Sequence, residues 1–251
     1  MKNTAACAKK FRSLLKKLEA GPEPVPAGKG DPVSTLIYSC LLWEATVTDA
    51  DAAFQSIIKG VVDFNELRVL LPHDMIEIMG EEYPHADERS RRLRAILRDI
   101  YVRAHEVSLS DVDELGKRDT KVYLESLEGM VPFVSSRLQL LHYEGKLVPV
   151  DEQLRGLLID EGAVDQSASV TEITNWIGRQ LKSGEELEVA GKLQAWSDQE
   201  IQKQRRNAAR RVSRKKPVRT TKKTASKKTT TKKASTTTRS RKKTTGRKAA
   251  H

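Results

Sequence analysis

Apolar residues recur three and four positions apart through the first 200 residues, and alternation with a period of two is almost absent. This spacing places apolar side chains on one face of an α-helix. Two stretches show it most clearly: Phe11, Leu14, Leu15 and Leu18, then Leu93, Ile96, Leu97, Ile100 and Tyr101. The pattern predicts an all-α fold with roughly ten helices.

Glycine, proline and N-cap residues set the expected limits of these helices. A Gly/Pro-rich run at 21–26 ends the first helix and forms a stiff linker, and the apolar run that follows Pro32 predicts a buried helix. Thr48 and Thr171 stand where helix N-caps are expected. Asp151 does the same after an extended Leu-Val-Pro-Val segment.

The charge of the chain is divided between its two ends. Residues 201–251 hold 21 Lys and Arg and no acidic residue, whereas residues 1–200 hold 24 basic and 34 acidic residues. The net charge of +11 therefore combines an acidic body with a basic C-terminal segment. Such a segment is typical of proteins that bind a polyanion.

From Arg214 onward the chain has no aromatic residue, and Val218 is its one sizeable aliphatic side chain. This composition cannot bury a core, and we expect a disordered tail. The cations predicted to contact DNA are Lys215, Lys216, Lys222, Lys223, Lys227, Lys228, Lys232, Lys233, Arg241, Lys242 and Lys243.

Several classes of protein are excluded by what the sequence lacks. The first residues contain no long apolar run of a secretory signal, and no stretch reaches the roughly 18 apolar residues of a membrane span. Two cysteines, Cys7 and Cys40, cannot build a disulfide framework. We expect a monomeric, cytoplasmic protein associated with the nucleoid and not with a membrane.

Three blocks in the middle of the chain occur in an order known from one superfamily. They are Gly30-Asp31-Pro32 with Thr48-Asp49, the segment 67–94, and Leu127-Glu128-Gly129-Met130-Val131 with Val148-Pro149-Val150-Asp151. In this order the chain resembles the helix-hairpin-helix (HhH-GPD) DNA glycosylases of the endonuclease III-like group, over roughly residues 10–165. The expected domains are an N-terminal helix and linker at 1–26, the glycosylase-like body at 27–200, and the helix end with the tail at 201–251.

The resemblance implies two functional positions. The hairpin at Gly129, Met130 and Val131 would hold a DNA phosphate through backbone N–H groups and the dipole of the next helix. Asp151 would be the carboxylate that stabilises positive charge on the sugar during base release, although an aspartate here also serves as an ordinary N-cap.

Two arginines on the strongly amphipathic helix complete the predicted site. Arg89 and Arg92 either contact phosphates or belong to a solvated helix face.

The sequence also departs from the family pattern. Val131 replaces the second hairpin glycine, and a β-branched residue resists positive φ. Phe133 stands where lyase members place their amine nucleophile, which excludes Schiff-base chemistry there. Glu44, Ala45 and Thr46 replace the DNA-inserting Gln. The residues after Asp165 lack the cysteines of an iron–sulfur loop, so no cofactor is expected.

Three functions remain open at this level. The first is sequence-independent binding of double-stranded DNA by a degenerate glycosylase fold whose tail is similar to those of linker histones and Lys-rich nucleoid proteins. The second is a monofunctional DNA glycosylase of base-excision repair that uses Asp151. The third is an RNA- or ribosome-associated factor. A cavity that contains Asp151 would favour the enzyme, whereas a cavity filled by Phe133 and its neighbours would favour the binding protein.

Overall fold

The computed structural model describes residues 4–215. Within that range the chain forms twelve α-helices and one 3₁₀ turn at Gly28–Gly30, with no β-strand, so the predicted all-α class is confirmed. The helices are α1 Thr4–Lys17, α2 Pro32–Leu42, α3 Val47–Gly60, α4 Phe64–Val69, α5 Pro72–Met79, α6 Ala86–Ala104, α7 Ser110–Asp113, α8 Lys117–Glu125, α9 Pro132–His142, α10 Glu152–Asp160, α11 Val170–Gln180 and α12 Glu186–Lys215. No helix in this part of the chain is long and apolar enough to span a membrane.

The helices bury two hydrophobic cores. The first lies among α2 to α9, with the fully buried Leu36, Ile57 and Leu97 near its centre. The second joins α1 to the helices after residue 150, where the Phe11 and Trp176 rings meet edge to face with centroids 5.5 Å apart. The N-terminal helix therefore packs against residues 148–193 and belongs to the body of the protein.

The structure agrees with one of the three helix N-caps that the sequence predicted. Asp151 caps α10 as predicted, since its side chain accepts the N–H of Leu154. The predictions for the other two caps are wrong by two residues: Thr46 caps α3 in place of Thr48, and Ser169 caps α11 in place of Thr171. A cap needs an extended backbone just outside the helix, whereas Thr48 and Thr171 already lie in the first turn.

The linker between the first two helices lies against the last helix. Gly21 and Gly191 pack backbone to backbone, with no room for a Cβ on either residue. At the other end, the N–H of Ala27 donates to the Thr35 hydroxyl at 3.0 Å. The Pro-rich segment is thus fixed at both ends and lies over a cavity between the two cores.

Candidate nucleic-acid site

The turn between α8 and α9 is the hairpin predicted from the sequence. Gly129 has a φ of +85°, and the Met130 N–H donates to the Leu127 carbonyl at 3.1 Å. Val131 has an extended backbone with a φ of −111°, so its branched side chain causes no strain. The conflict between a β-branched residue and a positive φ therefore does not arise at Val131, and Gly129 occupies the position of the turn where φ is positive.

Helix α6 lies directly beneath this hairpin. A Cβ on Gly129 would lie 3.0 Å from the Arg92 carbonyl oxygen and 3.2 Å from the Ala95 Cβ. The half-exposed Arg92 donates from Nη1 to the Gly129 carbonyl at 3.2 Å and forms an ion pair with Glu88 at 2.7 Å. In this structure Arg92 secures the hairpin, and its contact with DNA stays a prediction.

A carboxylate of the protein already lies against the hairpin backbone. Asp99 Oδ2 accepts the Glu128 N–H at 2.9 Å, and Arg103 Nη2 holds the same oxygen at 2.7 Å. Arg103 also donates to the Ser126 carbonyl at 3.0 Å. One hairpin amide is therefore engaged by an internal anion, which leaves fewer donors for a phosphate.

Arg89 is not available to DNA. The residue is 1% exposed, and its guanidinium donates to four backbone carbonyls, including Leu41 at 3.0 Å and Trp43 at 2.6 Å. The other acceptors are the carbonyls of Cys40 and Pro84. The prediction that Arg89 contacts phosphate is wrong, because the guanidinium is buried against otherwise unpaired carbonyls around the end of α2 and the carbonyl of Pro84.

Asp151 lies at the junction of the two cores. It is 7% exposed, and its oxygens accept the N–H groups of Leu154 at 2.8 Å and of Glu44 at 3.0 Å. Burial raises the pKa of this carboxyl, against the opposing effect of the two backbone donors. Asp151 thus joins the start of α10 to the end of α2, and its role in catalysis stays a prediction.

Glu44 belongs to this site, although the sequence identified it only as one of the residues that replace the DNA-inserting Gln. Its backbone is left-handed, with a φ of +52°, which is uncommon for a residue with a side chain. Its carboxylate pairs with His85 Nε2 at 3.0 Å, and burial together with the nearby charge of Asp151 raises its pKa. The hydrogen bond from the Glu44 N–H to Asp151 joins residues 107 positions apart in the sequence, so no local pattern indicates it.

Glu44 and Asp151 are therefore two carboxyl groups with raised pKa in one buried region. Such a pair is able to hold a proton above the usual carboxyl range, which is the property of a general acid.

A cavity of about 590 Å³ lies between the two cores. Its walls are mostly apolar and include the linker segment 22–28, Phe133 on α9, and Pro149 and Leu154 around the start of α10. Among the described residues that line it, Asp151 does not appear, although Pro149 and Leu154 flank Asp151 in sequence. The volume suits a small aromatic molecule, but the carboxylate of Asp151, the predicted catalytic group, does not line the cavity.

One end of the cavity is polar. Arg137 is 4% exposed and donates to the Ser39 hydroxyl at 3.0 Å, and burial lowers the pKa of its guanidinium to about 10. Tyr38 lies beneath the guanidinium, with its ring centroid 5.2 Å away, and donates its hydroxyl to Asp51 at 2.7 Å. These groups give a flat ligand hydrogen-bonding partners at one end of an apolar slot.

Residues 4–215 contain no group of three His, Cys, Asp or Glu side chains that could hold a metal ion. The expected lack of an iron–sulfur cluster stays a prediction. Lys215 ends α12, and the other predicted tail contacts, from Lys216 to Lys243, lie outside the described residues.

No model of a known protein family matches the sequence, and no curated protein matches it. Among solved structures, the chain is similar to a trapped endonuclease III–DNA covalent intermediate, with 11% identity over 77% of this chain and 85% of that chain and a TM-score of 0.55.

Two further structures show the same likeness. The first is the Clostridium acetobutylicum 8-oxoguanine glycosylase/lyase in complex with double-stranded DNA containing cytosine opposite 8-oxoguanine, with 16% identity over 80% of this chain and 71% of that chain and a TM-score of 0.53. The second is a thermostable thymine-DNA glycosylase, with 12% identity over 77% and 85% of the two chains and a TM-score of 0.51. The fold is the helix-hairpin-helix DNA glycosylase fold that the sequence resemblance implied.

Proposed function

We propose that the protein binds double-stranded DNA without sequence preference and does not excise bases. The observation that carries this proposal is the charge division: a body with net charge −10 continues into a segment of 21 cations with no acidic residue. Cations that neutralise phosphates release counterions, and the resulting affinity does not depend on base sequence. We also propose that the protein is a monomer associated with the nucleoid.

The contacts in the body support placing the affinity in the C-terminal segment. The Arg89 guanidinium donates to backbone carbonyls. Arg92 forms an ion pair with Glu88 and donates to the Gly129 carbonyl. The hairpin amide of Glu128 is occupied by Asp99. Of the groups predicted to bind phosphate, Arg89, Arg92 and the Met130 N–H are thus engaged within the protein.

The residues of the candidate site support the absence of catalysis. Phe133 supplies no amine for a covalent intermediate, and its side chain forms part of the cavity wall. Asp151 has both oxygens bonded to backbone N–H groups and lies outside that wall. A base placed in the cavity would therefore meet Phe133 and Arg137 before it met Asp151.

The test compares the full chain with a chain that ends at Lys215. Fluorescence anisotropy measures the affinity of each for two undamaged duplexes of unrelated sequence and for single-stranded RNA of the same length. We expect the full chain to bind both duplexes equally and the shortened chain to lose a large part of that affinity. Equal affinities of the two chains, or a preference of the full chain for RNA over duplex DNA, would refute the proposal.

A monofunctional DNA glycosylase is the second candidate, and one observation favours it. Glu44 and Asp151 are neighbouring carboxyl groups whose pKa values are both raised, beside a cavity of about 590 Å³. Glu44 would protonate the leaving base and Asp151 would stabilise the sugar cation.

This candidate is tested by incubating the protein with duplexes that carry a panel of damaged or mispaired bases and by scoring abasic sites. Excision that is abolished by Asp151→Asn and retained by Asp63→Asn would establish the enzyme. Asp63 is the matched control because it is an exposed N-cap that accepts the Glu66 N–H at 2.8 Å.

A further inference from the structure

Helix α12 continues well beyond the body of the protein. Val189, Leu193 and Ser197 in its first half are buried, whereas every residue from Gln202 to Arg211 is exposed. The backbone remains helical to Lys215. At 1.5 Å per residue the projecting part is about 20 Å long.

The charged residues of this projecting part are all basic. Residues 202–215 contain seven Lys and Arg and no acidic residue. Lys203, Arg206 and Arg210 stand at i, i+3 and i+7, which places them along one side of the helix. Arg211 follows about 100° further around the helix, so the cations cover more than one flank.

An ion pair fixes the direction of this helix where it leaves the body. Arg205 Nη2 lies 2.7 Å from Asp49 Oδ2 at the start of α3. About two turns earlier on α12, Asp198 Oδ2 accepts the Val47 N–H at 3.1 Å, again at the start of α3. Because Arg205 faces α3, the side that carries Lys203, Arg206 and Arg210 is turned away from the body.

Two of these outward cations, Lys203 and Arg206, make exposed contacts within the helix. Lys203 pairs with Glu200, and Arg206 donates to Gln202 at 3.3 Å. Exposed pairs of this kind contribute little to stability, so a phosphate replaces the partner at small cost.

We propose that residues 202–215 form a preordered helix that docks in the major groove of duplex DNA and contacts phosphates on both of its walls. This inference rests on the proposed function and deepens it, because it assigns part of the affinity to a rigid helix and not to charge alone. A helix of about 10–12 Å diameter fits the roughly 12 Å major groove of B-form DNA. The major groove of A-form RNA is too narrow to admit it.

The first experiment breaks the helix without changing any charge. Proline at an interior helical position removes a hydrogen bond and clashes with the preceding turn, so Ala208→Pro interrupts the projecting part beyond the Arg205 anchor. Ala225→Pro, in the basic tail, is the matched control. Circular dichroism reports the lost helix, and the unchanged melting temperature reports an intact body.

Affinity for a short DNA duplex is then measured with the full chain at physiological salt. We expect Ala208→Pro to weaken binding about tenfold, since the helix loses its preorganisation, and Ala225→Pro to leave it unchanged. Duplex RNA of the same length should bind more weakly than DNA and should not respond to Ala208→Pro. Equal DNA affinities of the wild type and Ala208→Pro would overturn the inference while leaving the proposed function intact. A wild-type chain that does not bind DNA would overturn both.

A second experiment varies charge with the helix intact. The triple substitution of Lys203, Arg206 and Arg210 to Gln should lower the salt-dependence slope by about 2.7, or roughly 0.9 for each lost phosphate contact. The matched triple substitution at Lys222, Lys223 and Lys227 should weaken duplex binding less. An equal loss from both triples would show that the chain acts as a flexible polycation, which contradicts a docked helix.

Discussion

Arg89 offers the sharpest test of the structure, because sequence and structure assign it different roles. The substitution Arg89→Met keeps much of the side-chain length and removes the guanidinium. Four carbonyls that this group satisfies, at Cys40, Leu41, Trp43 and Pro84, would then lose a donor.

The expected cost follows from those contacts. A buried polar group left without a partner costs about 1–3 kcal/mol, and relaxation lets water reach some of the four acceptors. We therefore expect Arg89→Met to lower the free energy of unfolding by about 3–5 kcal/mol, which corresponds to about two carbonyls left without a donor after relaxation. This is a large part of the roughly 5–15 kcal/mol that stabilises an ordinary domain.

Arg91→Met is the matched control on the same helix. The Arg91 side chain is 68% exposed and pairs only with the exposed Asp87 four residues earlier, so its loss should cost under about 0.5 kcal/mol. Urea unfolding followed by circular dichroism compares both variants with the wild type. DNA affinity is measured where each variant remains folded, and neither substitution should change it.

The structural role of Arg89 would be refuted by a loss of stability no larger than that of Arg91→Met. A fall in DNA affinity of the folded Arg89→Met chain would also refute it, because a buried guanidinium does not reach phosphate.

Three further predictions concern the hairpin, the cavity and Asp151. Gly129→Ala should destabilise the fold by about 1–3 kcal/mol, because φ is +85° and the added Cβ meets Arg92 and Ala95; urea unfolding that shows no loss would contradict this. Borohydride should trap no adduct with abasic DNA at Phe133 in a chain that lacks the tail lysines, and peptide mapping of any adduct checks this. Since its folded-state pKa is raised, Asp151 favours folding when protonated, so wild-type stability should fall as pH rises above about 4, and the Asp151→Asn chain should lack that part of the fall. Identical dependence of stability on pH in the wild type and Asp151→Asn would contradict the raised pKa of Asp151.

Local patterns in the sequence predicted the parts of the fold that depend on near neighbours. The helical spacing around Leu93 to Tyr101 gave α6, and the Gly129 turn lies where the hairpin was expected. Asp151 caps α10 because its capping bond spans three residues. Such features depend on contacts within one or two turns, which residue spacing encodes directly.

The tertiary partners of the same residues could not be predicted. An amphipathic pattern marks Arg89 as polar, yet it does not show that the guanidinium turns inward to the end of α2. The Glu44 N–H finds Asp151 across 107 residues, and Asp99 reaches the hairpin across 29. These contacts depend on how the two cores meet, which no local spacing describes.

The C-terminal limit of α12 could not be predicted from composition. From Arg214 onward the composition cannot bury a core, and the structure nevertheless continues the helix to Lys215. Arg, Lys, Gln and Ala are strong helix formers, so helical propensity and the Arg205–Asp49 anchor extend the helix without burial.

The most direct test of the account is the salt dependence of duplex binding by the full chain. Affinities for two undamaged duplexes of unrelated sequence are measured between roughly 50 and 200 mM salt, and the logarithm of the binding constant is plotted against that of salt. With about 6–10 phosphates contacted, affinity should fall roughly 10³–10⁵-fold over this range, equally for both duplexes. Affinity that barely changes with salt, or that differs strongly between the two sequences, would contradict DNA binding through the basic segment.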